Sequence, residues 1–318
     1  MFIEYAKITG SAVGQIFLLA AIGFFLVKKE LLGREGLNAL SRLVIEVTLP
    51  AMIFCQLVKD FSFSLYGYWW VFPLASIAIT VFGFMCALPF AGFFKEKDSK
   101  IQFISLIGFQ NSGYLPLALV AAILSENQLN TMFIYLFLFL LGFNLLMWSV
   151  GVYLINLTSS KRFDFASLFS PPVLATIISL VLVAAGLNKA MPEMLLKPLN
   201  MVGECTLPLA MFVVGGNLAQ IKLHKVSKRA VFLVTLLKLV IMPALGLWLL
   251  ISFNVPKVAA LLVLIQLAMP PATSLSVITS SYNKEDKIIS QGIFFGHIFS
   301  IVSIPVFLSL YFYFSMIK

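Results

Sequence analysis

Charge is what this chain has least of. Asp, Glu, Lys and Arg make up 11% of its 318 residues, where a soluble domain carries about 25%, and that scarcity excludes a water-soluble globule. Histidine is nearly absent. With two of them no Ser-His-Asp set can be assembled, and no HExxH zinc site is present. Three cysteines, Cys55, Cys86 and Cys205, stand in apolar segments without metal-ligand spacing. They read as small buried hydrophobes, and neither a metal nor a cofactor is expected. No glycine-rich phosphate loop or ATPase domain exists within the chain, so direct ATP drive within it is excluded. The net charge of +9 is spread over short loops without interleaved aromatics, which excludes a nucleic-acid partner. The first apolar run lacks a basic n-region and a small-residue cleavage site, so it reads as a first span and not as a signal peptide.

What is present is apolar: 61% of the residues are hydrophobic, with mean hydropathy +1.02. Residues 8–27, 101–125, 165–188, 239–256, 258–283 and 288–317 contain no charged side chain. About 20 apolar residues cross a bilayer as a helix, and no period-2 alternation suggests a barrel. The pattern predicts an all-α, multi-pass membrane protein with ten spans, near 9–27, 41–58, 69–92, 101–124, 130–156, 171–188, 199–220, 230–253, 258–281 and 288–314. The polar, basic segment 157–170 separates a first five-helix repeat, 1–156, from a second, 171–318. Alternate loops carry fifteen Lys and Arg on one side and six on the other, with Lys238 inside a span. The positive-inside rule places the richer side in the cytoplasm and both termini outside, in a cell (cytoplasmic) membrane. The two halves then have opposite orientation, the inverted repeat of many secondary transporters.

Local motifs agree with that division. "EVTLP", Glu46–Pro50 in span 2, is echoed by "ECTLP", Glu204–Pro208 in span 7. A proline lacks an N–H, so Pro50 and Pro208 leave the carbonyls of Glu46 and Glu204 without helical partners. Each carboxylate beside a freed carbonyl is a candidate proton or Na⁺ coupling site. The other reading is an acid near the positive end of its helix, favoured by the dipole. A second pair lies in mid-span: "GFQNSGYLP", Gly108–Pro116, and "IQLAMPPATS", Ile265–Ser274. Pro116 frees the Ser112 carbonyl, and Pro270 and Pro271 free those of Gln266 and Leu267. Helices broken at mid-depth in corresponding places point to a transport site, whose exposed N-termini suit an anion. Asn111, Ser112, Gly113, Pro116, Gln266, Pro270, Pro271, Thr273 and Ser274 are its candidate substrate-binding residues. Lys238, about 13 Å into span 8 at ~1.5 Å per residue, is either an anion's partner there or paired with one of the two acids. His297 in span 10 is a candidate for ion coupling or an ordinary hydrogen-bonded histidine. Gly215 and Gly216 predict close helix contact, with Asn217 beside them packed.

"RLVIEVTLPAMIF", "GFQNSGYLPLALV", "MPPATSLSVITSSYNKE" and "GIFFGHIFSIVSIPVF" together resemble the auxin efflux carrier family. The resemblance covers nearly the whole chain and is close to compact bacterial members described as malate or malonate permeases. It implies ten helices in two inverted five-helix repeats, similar to the bile acid–sodium symporters. Broken spans 4 and 9 would cross near Pro116 and Pro271. Spans 1, 2, 6 and 7 would form a scaffold, which puts Glu46 and Glu204 off the crossing as gates, coupling residues or dimer contacts. Small organic anions would move by an elevator-like motion. Plant members have Asn-Pro-Asn in span 4; here "SGYL" separates Asn111 from Pro116, so auxin recognition does not carry over. The expected function is therefore secondary active transport of small carboxylates. The expected partners are the lipid bilayer and the anion, with H⁺ or Na⁺ coupling and a homodimer left open. A ligand-sensing module or a channel is the alternative.

Overall fold

The computed structural model describes residues 2–157, 168–221, 223, 226–281 and 287–317, so most of the 157–170 linker lies outside them. Among the described residues every regular element is a helix, apart from one isolated two-residue bridge. Seven helices among the described residues are long and apolar enough to cross a bilayer. Six of them are α1 (Phe2–Lys28), α2 (Arg34–Asp60), α3 (Val71–Ala91), α6 (Glu126–Leu146, continuing through Met147–Gly151 and Val152–Asn156), α8 (Glu193–Gln220) and α9 (Lys228–Ser252). The last is α12 (Lys287–Ile317). Shorter helices are α4 (Lys97–Gly108), α5 (Tyr114–Ile123), α7 (Pro171–Ala184), α10 (Lys257–Ala268) and α11 (Ser274–Ser281). The protein is an all-α membrane protein.

Side chains on the outer helix flanks show what solvent the fold expects. Leu18 is 69% exposed, Met85 64% and Trp248 64%. Apolar surface on this scale is costly in water and neutral in hydrocarbon. The buried side is continuous, running from Val13 through Phe103, Phe109 and Phe137 to Leu264 and Leu308. Helix α1 packs along α8 and α12, α2 against α7 and α8, α3 against α4 and α6, and α9, α10 and α12 against one another. Glycine sets the closest of these contacts. A Cβ on Gly215 would fall on the Ala20 carbonyl, and one on Gly23 on the Phe212 carbonyl. The close contact expected at Gly215 thus joins α1 to α8 by backbone-to-backbone approach.

Helix ends follow local chemistry. Pro171 and Pro172 open α7, where a missing N–H costs nothing. Gly186, at φ 71°, follows its end in the left-handed conformation that ends many helices. Pro50 does not interrupt α2. The helix widens into a π turn over Val44–Thr48, with the Leu49 N–H on the Val44 carbonyl, and continues to Asp60. A π turn before a proline moves the preceding carbonyls away from its ring. Pro243 in α9 is preceded in the same way by Leu237–Ile241. At the second motif α8 instead passes through a single turn residue, Cys205, before resuming at Thr206. Two near-identical five-residue sequences thus adopt different backbones. The reading of all three cysteines as buried holds for Cys55 alone: Cys86 is half-buried and Cys205 exposed. In a membrane helix an exposed apolar thiol costs little, because its surroundings are hydrocarbon.

The candidate site at two broken helices

Spans 4 and 9, expected to break at their prolines, each form two helices with an extended gap. Helix α4 ends at Gly108, Phe109 is extended at φ −104° and ψ 112°, and α5 starts after Gly113. Helix α10 ends at Ala268 and Met269 is extended at φ −70° and ψ 142°. The two gaps pair with each other. Gln110 and Pro271 form an antiparallel bridge. The Asn111 N–H donates to the Pro270 carbonyl at 2.8 Å, and the Ala272 N–H to the Phe109 carbonyl at 3.0 Å. Backbone groups that leave a helix at membrane depth need partners inside the protein; here each gap supplies the other's.

Side chains satisfy part of the remainder. The Gln266 amide Nε2–H donates to the Ser112 carbonyl at 3.2 Å, the carbonyl that Pro116 deprives of a helical donor. Pro116 itself is buried in the first turn of α5, where its missing N–H is harmless. Lys238 sits in the π turn of α9, wholly buried. Its ammonium donates to the Ile107 carbonyl at 2.7 Å and lies 3.5 Å from Gln110 Oε1. Ile107 is in the last turn of α4, whose free carbonyls are the negative end of the helix dipole. A cation from α9 therefore caps α4 at the break.

Helix α12 closes the arrangement from behind. A Cβ on Gly296 would come 2.7 Å from Pro271 Cδ, so only glycine lets α12 lie so close to the prolines. The next residue, His297, is wholly buried, with Nδ1 2.8 Å from the Ile293 carbonyl and Nε2 3.3 Å from Asn111 Nδ2. Gln110, Asn111, Ser112, Gln266, Lys238 and His297 are each at most 5% exposed. Three of their polar atoms, Gln110 Nε2, Ser112 Oγ and Gln266 Oε1, are buried and have no partner. Buried polar atoms without partners are rare, because each costs about 1–3 kcal/mol. Three of them cluster around this one break. A separate cleft of about 270 Å³, lined by Tyr5, Met132, Lys257, Tyr311 and Phe312, does not include these residues.

The structure thus gathers Asn111, Ser112, Gly113, Pro116, Gln266, Pro270, Pro271, Lys238 and His297 around one point. Thr273 and Ser274 are half-buried at the start of α11. Gln110 was not among the candidate residues, although it stands beside Asn111 in the mid-span polar run. Glu46 and Glu204 lie elsewhere. Both are exposed; Glu46 takes Arg42 at 2.9 Å and Glu204 accepts from Asn200 at 2.7 Å. Neither pairs with Lys238, and among the described residues no carboxylate lies within ion-pair distance of that ammonium. Exposed pairs of this kind are worth about 0–1 kcal/mol. The double variant Glu46→Gln/Glu204→Gln is therefore expected to keep uptake within about twofold of the unmodified protein, with the same pH profile. A proteoliposome pH series checks this, and a flattened profile would return both acids to the coupling mechanism.

Polar, mutually paired breaks within a bundle of apolar helices are an arrangement found in many membrane transporters. The Membrane transport protein family matches residues 10–167 and 158–308. The chain belongs to that family, the auxin efflux carriers, as the quoted motifs suggested. It is similar to the uncharacterized transporter MJ1031 of Methanocaldococcus jannaschii, 26% identical over 92% of this chain and 95% of that one. It is also similar to the uncharacterized transporter YfdV of Escherichia coli, 22% identical over 84% and 86%. Protein PIN-LIKES 1 of Arabidopsis thaliana is 20% identical over 92% of this chain and 76% of its own length.

Proposed function

We propose that this transporter is a secondary active carrier of small organic anions, carboxylates above all, in the cell membrane. The observation that carries the reading is the paired break itself, with Gln110 Nε2, Ser112 Oγ and Gln266 Oε1 unpartnered around it. The Lys238 ammonium and the N-terminus of α5 supply positive potential, which favours an anion there. The ligand-binding set is Asn111, Ser112, Gly113, Gln266, Pro270, Pro271, Thr273 and Ser274, with Lys238 behind them and Pro116 setting the break.

In this reading the helices form ten spans in two inverted five-helix repeats, 1–156 and 171–318, with α4–α5 and α10–α11 as the broken spans and both termini outside. Helices α1, α2, α7 and α8 are the scaffold. The remaining helices carry the break across the membrane in an elevator-like movement. The packing of α2 on α7 and α8, and of α1 along α8, supports the first group. The burial of the break supports a movement, because a ligand reaches it only when the two groups shift.

The test is uptake of radiolabelled mono- and dicarboxylates into proteoliposomes, with counterflow to separate a carrier from a pore and from a sensor that only binds. Asn111→Ala and Gln266→Ala are each expected to lower uptake more than about tenfold, since each removes a polar partner worth about 1–3 kcal/mol in a buried site. Undiminished uptake by both variants would move the site elsewhere.

A further inference from the structure

The contact between His297 and Asn111 fixes something that neither residue fixes alone. A carbonyl oxygen only accepts hydrogen bonds, so Nδ1 of His297, 2.8 Å from the Ile293 carbonyl, is the nitrogen that bears hydrogen. The ring is wholly buried, and no carboxylate contacts it among the described residues. A histidine gives up its extra proton near neutral pH even in water, so burial without a charged partner leaves the ring neutral and its Nε2 a bare acceptor. Only a donor satisfies that nitrogen. The Asn111 side chain therefore turns its amide nitrogen, 3.3 Å away, toward the ring. The other end of a planar amide faces the opposite way. Asn111 Oδ1 is directed away from His297, and Asn111 makes no other side-chain hydrogen bond among the described residues.

We propose that His297 is a positioning residue that locks Asn111 with its carbonyl oxygen offered to the ligand, so the site selects carboxylates that also carry a hydrogen-bond donor. This rests on the reading of the break as the binding site. Two acceptors then await a donor: Asn111 Oδ1 and the buried, unpartnered Gln266 Oε1. Two donors await an acceptor: Gln110 Nε2 and the Ser112 hydroxyl, both also unpartnered. A bare carboxylate answers only the donors, because an ionised carboxylate only accepts. A hydroxy acid or amino acid answers both sets. Without the histidine, the Asn111 amide is free to rotate and present its NH₂ instead, and the preference for a donor on the ligand disappears.

The experiment compares ligands matched in charge and chain length, lactate against propionate and malate against succinate, in proteoliposome uptake. The unmodified protein is expected to favour the hydroxylated member at least about fivefold, the effect of leaving a buried acceptor unmet. His297→Leu is expected to bring that ratio below about twofold. His297→Gln, whose Oε1 can accept from Asn111, restores most of the preference. An independent readout is the ¹⁵N spectrum of histidine-labelled protein in lipid, in a His224→Gln background that leaves one histidine. It should show Nδ1 protonated and Nε2 bare at neutral pH, and it decides the matter if His297→Leu does not fold. An Nε2–H ring, or an unchanged ratio in a folded His297→Leu, overturns the positioning role and leaves the site reading standing. Absence of saturable uptake of every carboxylate by the unmodified protein overturns the site reading, and this proposal with it.

Discussion

Lys238→Met is expected to cut substrate uptake by about two orders of magnitude, about 2.7 kcal/mol in the barrier to translocation, while leaving the folded protein about as heat-stable as before. Both halves of that expectation come from one geometry. The ammonium is wholly buried, donates to the Ile107 carbonyl at 2.7 Å, and has no carboxylate to neutralise it among the described residues. Burying an unneutralised cation opposes folding, and a methionine of similar length removes that cost. Against this, the Ile107 carbonyl and Gln110 Oε1 lose their donor, at about 1–3 kcal/mol for each group left unmet. The two changes offset each other in stability. They do not offset each other in function. Lys238 is the one lysine or arginine among the described residues that hydrogen-bonds at the break, and the cap that holds the end of α4 in place. Purified variant and unmodified protein compared by thermal melting and by uptake separate the two effects. Uptake within about threefold of the unmodified protein, below ~1 kcal/mol, would remove Lys238 from the transport cycle. A large fall in melting temperature would make it a structural residue.

Gly215→Ala is expected to do the reverse and damage the fold. The added Cβ would fall on the Ala20 carbonyl, a backbone atom in the middle of α1 that has no rotamer by which to retreat. Helices α1 and α8 must separate along their length, and Gly23, which faces the Phe212 carbonyl, loses its close contact in the same movement. Overpacking of this kind costs about 1–3 kcal/mol and occasionally more; a clash with backbone belongs at the upper end. The internal control lies on α1 itself. Gly10 and Gly14 have nothing within 4 Å of a built Cβ. Gly14→Ala should therefore be neutral or stabilising by about 0.5–1 kcal/mol, the ordinary gain of alanine over glycine in a helix. Melting curves in detergent give both numbers. A Gly215→Ala protein as stable as its Gly14→Ala counterpart would mean that α1 and α8 are not in close backbone contact.

The two breaks were legible because their cause is local. Proline removes its own N–H wherever it stands, and an uncharged mid-span run containing Asn111 and Ser112 leaves the freed groups no lipid partner. Long apolar helices were legible for the same reason: twenty apolar residues need no neighbour to prefer hydrocarbon. The EVTLP and ECTLP copies were less informative. Their prolines act locally too, but a helix can answer a missing N–H by a π turn, as at Val44–Thr48, or by a single turn residue, as at Cys205. The choice depends on what packs outside. Gln110 was passed over because its amide gains meaning only from the Lys238 ammonium 3.5 Å away on another helix.

By itself, then, the sequence settled that the chain folds into apolar membrane helices, where two segments must break, and which polar residues stand at those breaks. Tertiary structure alone decided who meets whom: Gln266 with the Ser112 carbonyl, Lys238 with Ile107 and not with Glu46 or Glu204, His297 with Asn111. Hydropathy and a missing donor are properties of a residue and its near neighbours along the chain. The partner of a long side chain is set by helices more than a hundred residues apart in sequence, as with Lys238 and Ile107 at a separation of 131. Only their packing brings those atoms within hydrogen-bond reach.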